Sequence, residues 1–223
     1  MTHPHHQHSE PQTALRPATR GRLIRWATYY DPVVSLLTLG RRAQLRQATV
    51  ALARMDPAEH VLEVGCGTGD VALAARVEVG EIGSVVGIDP SPEMIGVARS
   101  KAARAGRDVS FQVGVIEALA FPDATFDVVL SSLMMHHLPD DLKREGLVEI
   151  ARVLKPGGRL LIVDMKRPTG RAGQILTHLV MHGHMESGIQ NLPPMLRAAG
   201  FMDIDIGDTD FRLLGFVRAQ TVR

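Results

Sequence analysis

Gly65, Gly67 and Gly69 alternate with single residues directly after the apolar run Val61-Leu62-Glu63-Val64 and just before Asp70. A strand that breaks into such a turn brings bare backbone close to a ligand, at the point where a helix begins and its N–H groups face outward. The loop therefore reads as a nucleotide-type cradle, with Gly65, Cys66, Gly67 and Gly69 lining the cofactor. A dinucleotide fold spaces its glycines Gly-x-Gly-x-x-Gly; here the spacing is Gly-x-Gly-x-Gly and Asp70 stands where the third would be. An acid at that helix mouth opposes two phosphates and suits a cationic ligand or a ribose.

Other residues add to this chemistry. Asp89 closes the next apolar run in Gly87-Ile88-Asp89-Pro90-Ser91, twenty residues beyond Gly69, the interval at which a carboxylate accepts from ribose hydroxyls. Glu63 is an acid inside an apolar strand and needs a partner if it is buried. Ser131 and Ser132 end the run Phe126-Asp127-Val128-Val129-Leu130, at the strand terminus where open α/β sheets bind ligands. Then follow Leu133-Met134-Met135-His136-His137; either histidine suits a general base, and helix capping or packing suits it equally. His178 and His182 share one helical face at i, i+4, but no third ligand sits at a telling interval, so they read as surface, packing or pocket-lining residues and no metal site is expected.

The elements that must hold these residues alternate. Strands are expected at 60–64, 84–88, 109–113, 126–131 and 158–164, and helices at 70–79, 91–105 and 140–153, a doubly wound α/β pattern. Ser91 caps the second of these helices with Pro92 at its first position. Lys155-Pro156-Gly157-Gly158 reads as the turn that ends a helix and opens a buried strand. Strands near 201–208 and 212–220, with no helix between them, imply an antiparallel hairpin at the sheet edge.

Around this core, residues 1–20, with His3, His5, His6 and His8, read as a disordered tail, and 21–55 as a helical cap. The domain itself occupies 56–223, with a helical insertion at about 168–199. The formal net charge of +1 argues against nucleic acid as the principal partner. Arg16, Arg20, Arg22, Arg25, Arg41, Arg42, Arg46 and Arg54 make the amino-terminal part basic, which permits peripheral contact with an anionic membrane, although a solvated face is the simpler reading. Cys66 is the single cysteine, so no intrachain disulfide forms, and with neither a signal peptide nor a membrane-length apolar run a cytoplasmic protein is expected.

The segment Glu63-x-Gly65-x-Gly67-x-Gly69 resembles motif I of the class I methyltransferases. Tyr30-Asp31, the run from Ser35 to Arg41 and Arg152-Val153-Leu154-Lys155-Pro156-Gly157-Gly158 are similar to the ubiquinone/menaquinone C-methyltransferase family, over roughly residues 29–220. The resemblance implies a seven-stranded Rossmann-like sheet of order 3-2-1-4-5-7-6 and S-adenosylmethionine as cofactor. Glu63 would help hold the amino group of its methionine part, and Met94 would pack on the adenine. Where the family commonly reads Gly-Asp-Ala-Glu-x-Leu-Pro-Phe, this chain has Gly114-Val115-Ile116-Glu117-Ala118-Leu119-Ala120-Phe121. Val115 thus replaces the Asp that accepts from the adenine amino group, which leaves the backbone of Val115 and Ile116 to read the base.

The chain also has Val33-Val34 and Arg41-Arg42 where the quinone enzymes tend to carry Met-Asn and His-Arg, and Asp164-Met165 in place of Glu-Phe. The implied reaction is in-line methyl transfer to a small, partly apolar or aromatic acceptor at carbon or oxygen. Tyr30, His178 and His182 would stand in the acceptor pocket. A nicotinamide oxidoreductase and an inactive cofactor-binding module are the alternatives, the first disfavoured by the glycine spacing and the closing hairpin; oligomeric state is left open.

Overall fold

A computed structural model of the protein describes residues 19–20, 40–167 and 188–222. The elements are α1 (Arg42–Ala53), β1 (His60–Val64), α2 (Asp70–Val79), β2 (Ser84–Asp89), α3 (Pro92–Ala105), β3 (Ser110–Val113) and β4 (Phe126–Ser132), then α4 (Asp140–Val153), β5 (Leu154–Met165), α5 (Leu192–Ala198), β6 (Phe201–Asp208) and β7 (Leu214–Thr221). Short 3-10 turns at Met135–His137 and Ile189–Asn191 precede α4 and α5. The first helix expected in the 21–55 cap, the His-rich tail before residue 19 and most of the 168–199 insertion lie outside the described residues.

The strands form one sheet of order β3-β2-β1-β4-β5-β7-β6, as the resemblance implied. β1 pairs parallel with both β2 and β4, so the chain's direction of winding reverses between β1 and β4 and opens a crevice above their carboxyl ends. β7 pairs antiparallel with β5 and with β6, which makes the expected closing hairpin.

Runs such as Val61-Leu62-Glu63-Val64 are near-continuously apolar because both faces of the sheet are covered. On one face Leu62, Val64, Val129 and Ile162 pack with Leu142, Leu147 and Ile150 of α4 and Leu192 and Leu196 of α5. On the other, Val61, Val128, Leu130 and Leu161 pack with Leu45 of α1, Ala72 and Ala75 of α2 and Ile95 and Ala98 of α3. Small alanines line α2 and α3 where these helices lie close to the strands. Ser91 accepts from the Met94 N–H at 3.2 Å with Pro92 in the first turn, so α3 starts where its cap and proline place it.

One boundary differs from the sequence reading. α4 ends at Val153 and passes directly into β5 at Leu154, ahead of the expected turn. Phe126 pairs with Leu154 but Val128 with Arg159, so β5 uses five residues where β4 uses two. The glycines and proline make a bulge inside the strand, not a loop before it. Gly157 supplies the left-handed φ of 74°, and Lys155 Nζ clamps the bulge to both oxygens of Asp127 at 2.7 and 2.8 Å.

Candidate active site

The glycine loop is strapped to the end of β2. The N–H groups of Gly65 and Cys66 both donate to the Ile88 carbonyl at 2.9 Å, and the Gly67 N–H donates to Asp89 Oδ2 at 3.0 Å. The Ser91 N–H donates to Asp89 Oδ1 at 2.9 Å, so backbone groups on both sides fix this carboxylate. Burial raises the Asp89 pKa above its ordinary value, with the two N–H donors opposing that rise. Two adjoining clefts meet at Gly65, Gly67 and Leu133. The first is walled by Asp89, Pro90, Met94, Val115, Ile116 and His137, and the second by Glu63, Cys66, Thr68, Asp70 and Ser132, with Arg42 and Arg46 of α1.

All three loop glycines have left-handed φ, 73°, 51° and 82°. Their roles differ. Gly65 and Gly67 line the clefts, whereas a Cβ on Gly69 would stand 2.6 Å from Phe111 Cζ and 2.9 Å from Ala98 Cβ. Gly69 lines neither cleft and lets α2 close onto α3 and β3. Cys66 is buried and its thiol pKa is pushed well up by burial, which suits a packing residue and not a nucleophile.

Glu63 is buried and accepts from the Ala72 N–H at 2.7 Å, which satisfies one donor of the first turn of α2. No basic side chain among the described residues is bonded to it. Burial raises its pKa well above the usual carboxylate range, the Ala72 N–H opposes this, and the negative charges of Asp70 and Asp89 raise it further. A cation brought to this cleft would relieve that arrangement.

Asp70 lines the second cleft already paired. Its carboxylate does not face a ligand alone; it is bound by Arg42, and by Lys101 Nζ at 2.8 Å, with Arg46 at 3.8 Å. The demand for positive charge near Asp70 is met by the chain itself, and the buried acid of the second cleft with no basic side chain bonded to it among the described residues is Glu63. Of the arginines read from the sequence as a basic stretch, Arg42 and Arg46 point into this cleft, Arg41 lies 4.8 Å from the Phe211 ring, and Arg20 reaches Asp141 at 2.6 Å and Glu145 at 2.5 Å. The i, i+4 spacing of Arg42 and Arg46 was the available signal for their shared face.

Ser131 is buried on the face opposite the second cleft, and its Oγ has no hydrogen-bond partner among the described residues; Ser132, one residue on, lines that cleft. The strand's alternation decides this, since adjacent side chains point to opposite faces. Leu133 follows with φ of 54°, an unusual conformation for a branched residue, and lines both clefts; nothing in its type signals that position.

The two histidines part ways. His136 donates its backbone N–H to Asp164 Oδ2 at 3.1 Å, and its ring Nδ1 lies 2.5 Å from Oδ1 of the same carboxylate. Burial pushes the Asp164 pKa upward, but the charge and hydrogen bonds of His136 and the Met165 N–H outweigh it, so the carboxyl titrates below its ordinary value. His137 lines the first cleft, its ring centroid 3.9 Å from that of His136. Tyr30, His178 and His182 lie outside the described residues. Among those described, no group of three potential metal ligands occurs, and no helix is long and apolar enough to cross a membrane.

Comparison with known proteins adds to this geometry. Residues 61–158 match the family model described as a methyltransferase domain. This stretch is a methyltransferase domain. The chain is 37% identical over 141 residues to a demethylmenaquinone methyltransferase of Shouchella clausii, covering 63% of this chain and 59% of that protein. It is 36% identical over 167 residues to a ubiquinone/menaquinone biosynthesis C-methyltransferase of Geobacter sulfurreducens, covering 71% and 64%. The chain thus spans about three fifths of the length of the curated relatives it matches.

A solved SAM-dependent methyltransferase from Aquifex aeolicus superposes with a TM-score of 0.68 at 23% identity, over 85% of this chain and 98% of that one. The class I methyltransferase fold is therefore present, and its matched stretch contains Glu63, the glycine loop, Asp89, Met94, both histidines and the bulge of β5.

Proposed function

We propose that the methyltransferase domain moves a methyl group from S-adenosylmethionine to a small, partly apolar acceptor of the quinone type, at carbon or oxygen. The observation that carries this reading is Asp89, held by the Gly67 and Ser91 N–H groups at the lip of the first cleft, beside a second cleft whose Glu63 is buried without a basic partner among the described residues. A sulfonium and ammonium ligand bearing a ribose fits both. Neither fold nor relatives support the nicotinamide alternative.

The residues divide the work by position. Asp89 would accept from the ribose hydroxyls, Glu63 would face the ammonium end, and Met94, Val115 and Ile116 would enclose the base. When bound, the cofactor supplies an electrophilic methyl group on a positively charged sulfur. The protein's part is to align the acceptor with that methyl and exclude water, so the apolar side chains of Leu133 and Met134 at the cleft junction serve by displacing solvent. His137, which lines the first cleft, would take a proton from the acceptor, and His136, tied to Asp164, would fix the turn that carries it. The similarity to demethylmenaquinone and ubiquinone/menaquinone enzymes supports a quinone-type acceptor.

Calorimetry with S-adenosylhomocysteine tests the cofactor reading: Asp89→Ala should weaken binding at least about tenfold, and undiminished binding would overturn it. With a demethylated quinol and labelled cofactor, His137→Ala should lower kcat about 100-fold or more while leaving S-adenosylhomocysteine affinity within about twofold. A loss confined to binding would remove His137 from the proton-transfer role.

A further inference from the structure

We propose that Glu117 is the residue that recognises the exocyclic amino group of the adenine. The proposal rests on the S-adenosylmethionine reading above.

Val115 and Ala118 form an isolated antiparallel bridge, so Ile116 and Glu117 occupy the tip of a tight turn at the end of β3. This turn forms one wall of the first cleft, and Val115 and Ile116 are themselves nearly buried there. Two carboxylates line that cleft among the described residues. Both oxygens of Asp89 already accept backbone N–H groups. Glu117 Oε2 is buried and has no hydrogen-bond partner among the described residues.

A buried carboxylate oxygen without a donor is costly unless a ligand supplies the donor. A donor carried on a largely apolar body fits best, because Pro90, Met94, Val115 and Ile116 line the same cleft as Glu117. A flat base with an amino group at its edge meets both demands. Arg20, whose charge interacts with Glu117, has its guanidinium bound to Asp141 and Glu145.

The turn is also held rigidly enough to read one atom. A Cβ on Gly146 of α4 would stand 2.5 Å from Ile116 Cγ1, so only glycine there lets the helix press against the turn. Past the tip, the Leu119 N–H donates to Glu149 Oε2 at 2.9 Å, and Arg152 Nη2 donates to the Leu119 carbonyl at 2.8 Å. An ionised carboxylate accepts and never donates, so Glu117 selects a 6-amino purine over a 6-oxo purine.

The test pairs protein and ligand changes. S-adenosylhomocysteine, its analogue with hydrogen in place of the 6-amino group and its 6-oxo (inosyl) analogue are titrated by calorimetry into the full-length chain, Glu117→Ala and Glu117→Gln. Wild type should bind S-adenosylhomocysteine about 10- to 100-fold more tightly than the 6-hydrogen analogue. Glu117→Ala should lose that factor for S-adenosylhomocysteine and bind the 6-hydrogen analogue as wild type does, which also reports an intact cleft. Glu117→Gln, whose amide both accepts and donates, should regain much of the S-adenosylhomocysteine affinity and bind the inosyl analogue better than wild type does.

Equal losses for both ligands in Glu117→Ala, or no loss for either, would overturn the assignment while leaving the cofactor reading in place. No binding of S-adenosylhomocysteine to wild type would overturn both.

Discussion

Glu63 shows how a single side chain here trades stability against ligand affinity. Its pKa is raised in the fold, first by burial, so the folded state holds its proton to higher pH than the unfolded chain does. The sign follows: the carboxyl costs no stability below the unfolded value of about 4.3, and the cost grows as pH rises through the window up to the raised folded value. Above that window the cost is complete. Glu63→Gln keeps an acceptor for the Ala72 N–H but removes the charge. At neutral pH the unliganded variant should melt at least about 2 °C above wild type, equivalent to about 1 kcal/mol in a chain of this size, while S-adenosylhomocysteine affinity falls. Scanning calorimetry at pH 4 and pH 7 checks this, since the gain should vanish at the lower pH.

The sequence showed this acid and its need of a partner, because polar type and apolar neighbours are visible without coordinates. It did not show which partner, since the Ala72 N–H is nine residues away and belongs to every residue alike. The partners of Asp70 were hidden for the same reason: Arg42 and Lys101 lie 28 and 31 residues away, on α1 and α3.

At the scale of elements, the glycine loop is two devices in one. Gly65 and Gly67 open the clefts, and Gly69 allows α2 to seat against Phe111 and Ala98. Gly69→Ala would force a Cβ into the Phe111 ring at a φ of 82°, which adds left-handed strain of about 1–2 kcal/mol to overpacking of about 1–3 kcal/mol. Urea unfolding should therefore show a loss of about 2–5 kcal/mol, with S-adenosylhomocysteine affinity within about twofold of wild type where the protein remains folded. A large loss of affinity without a loss of stability would return Gly69 to the binding surface. Alternation along a strand likewise separates Ser131 from Ser132. Element type was readable from apolar period, caps and prolines, but the bulge of β5 was not, because its register depends on Lys155 meeting Asp127 across the sheet.

For the whole molecule, the order of the strands was legible from the resemblance and from the absence of a helix between the last two strands. The two clefts were not, since they assemble from α1, the ends of β1, β2 and β4, and the turn after β3. The hairpin that distinguishes the fold from a fully parallel sheet also completes its core. Val217 is buried at 1% exposure and lies between Ile162 of β5 and Ile206 of β6. Val217→Asp places an unpaired charge there, so we expect a loss of at least about 4 kcal/mol and no cooperative urea transition near neutral pH. A folded, cooperative variant would show that the hairpin is an appendage to a core complete without it.

The carboxylate of Asp70 joins three elements that are otherwise far apart in sequence: its own α2, Arg42 of α1 and Lys101 of α3. Its side chain is 26% exposed, so dissolved ions reach it. The Debye length shrinks from about 10 Å at 0.1 M salt to about 3 Å at 1 M, and attraction at such a partly exposed site weakens accordingly. The seating of α1 on the glycine loop is therefore a function of ionic strength, and the second cleft is a more tightly defined space in dilute solution than in brine.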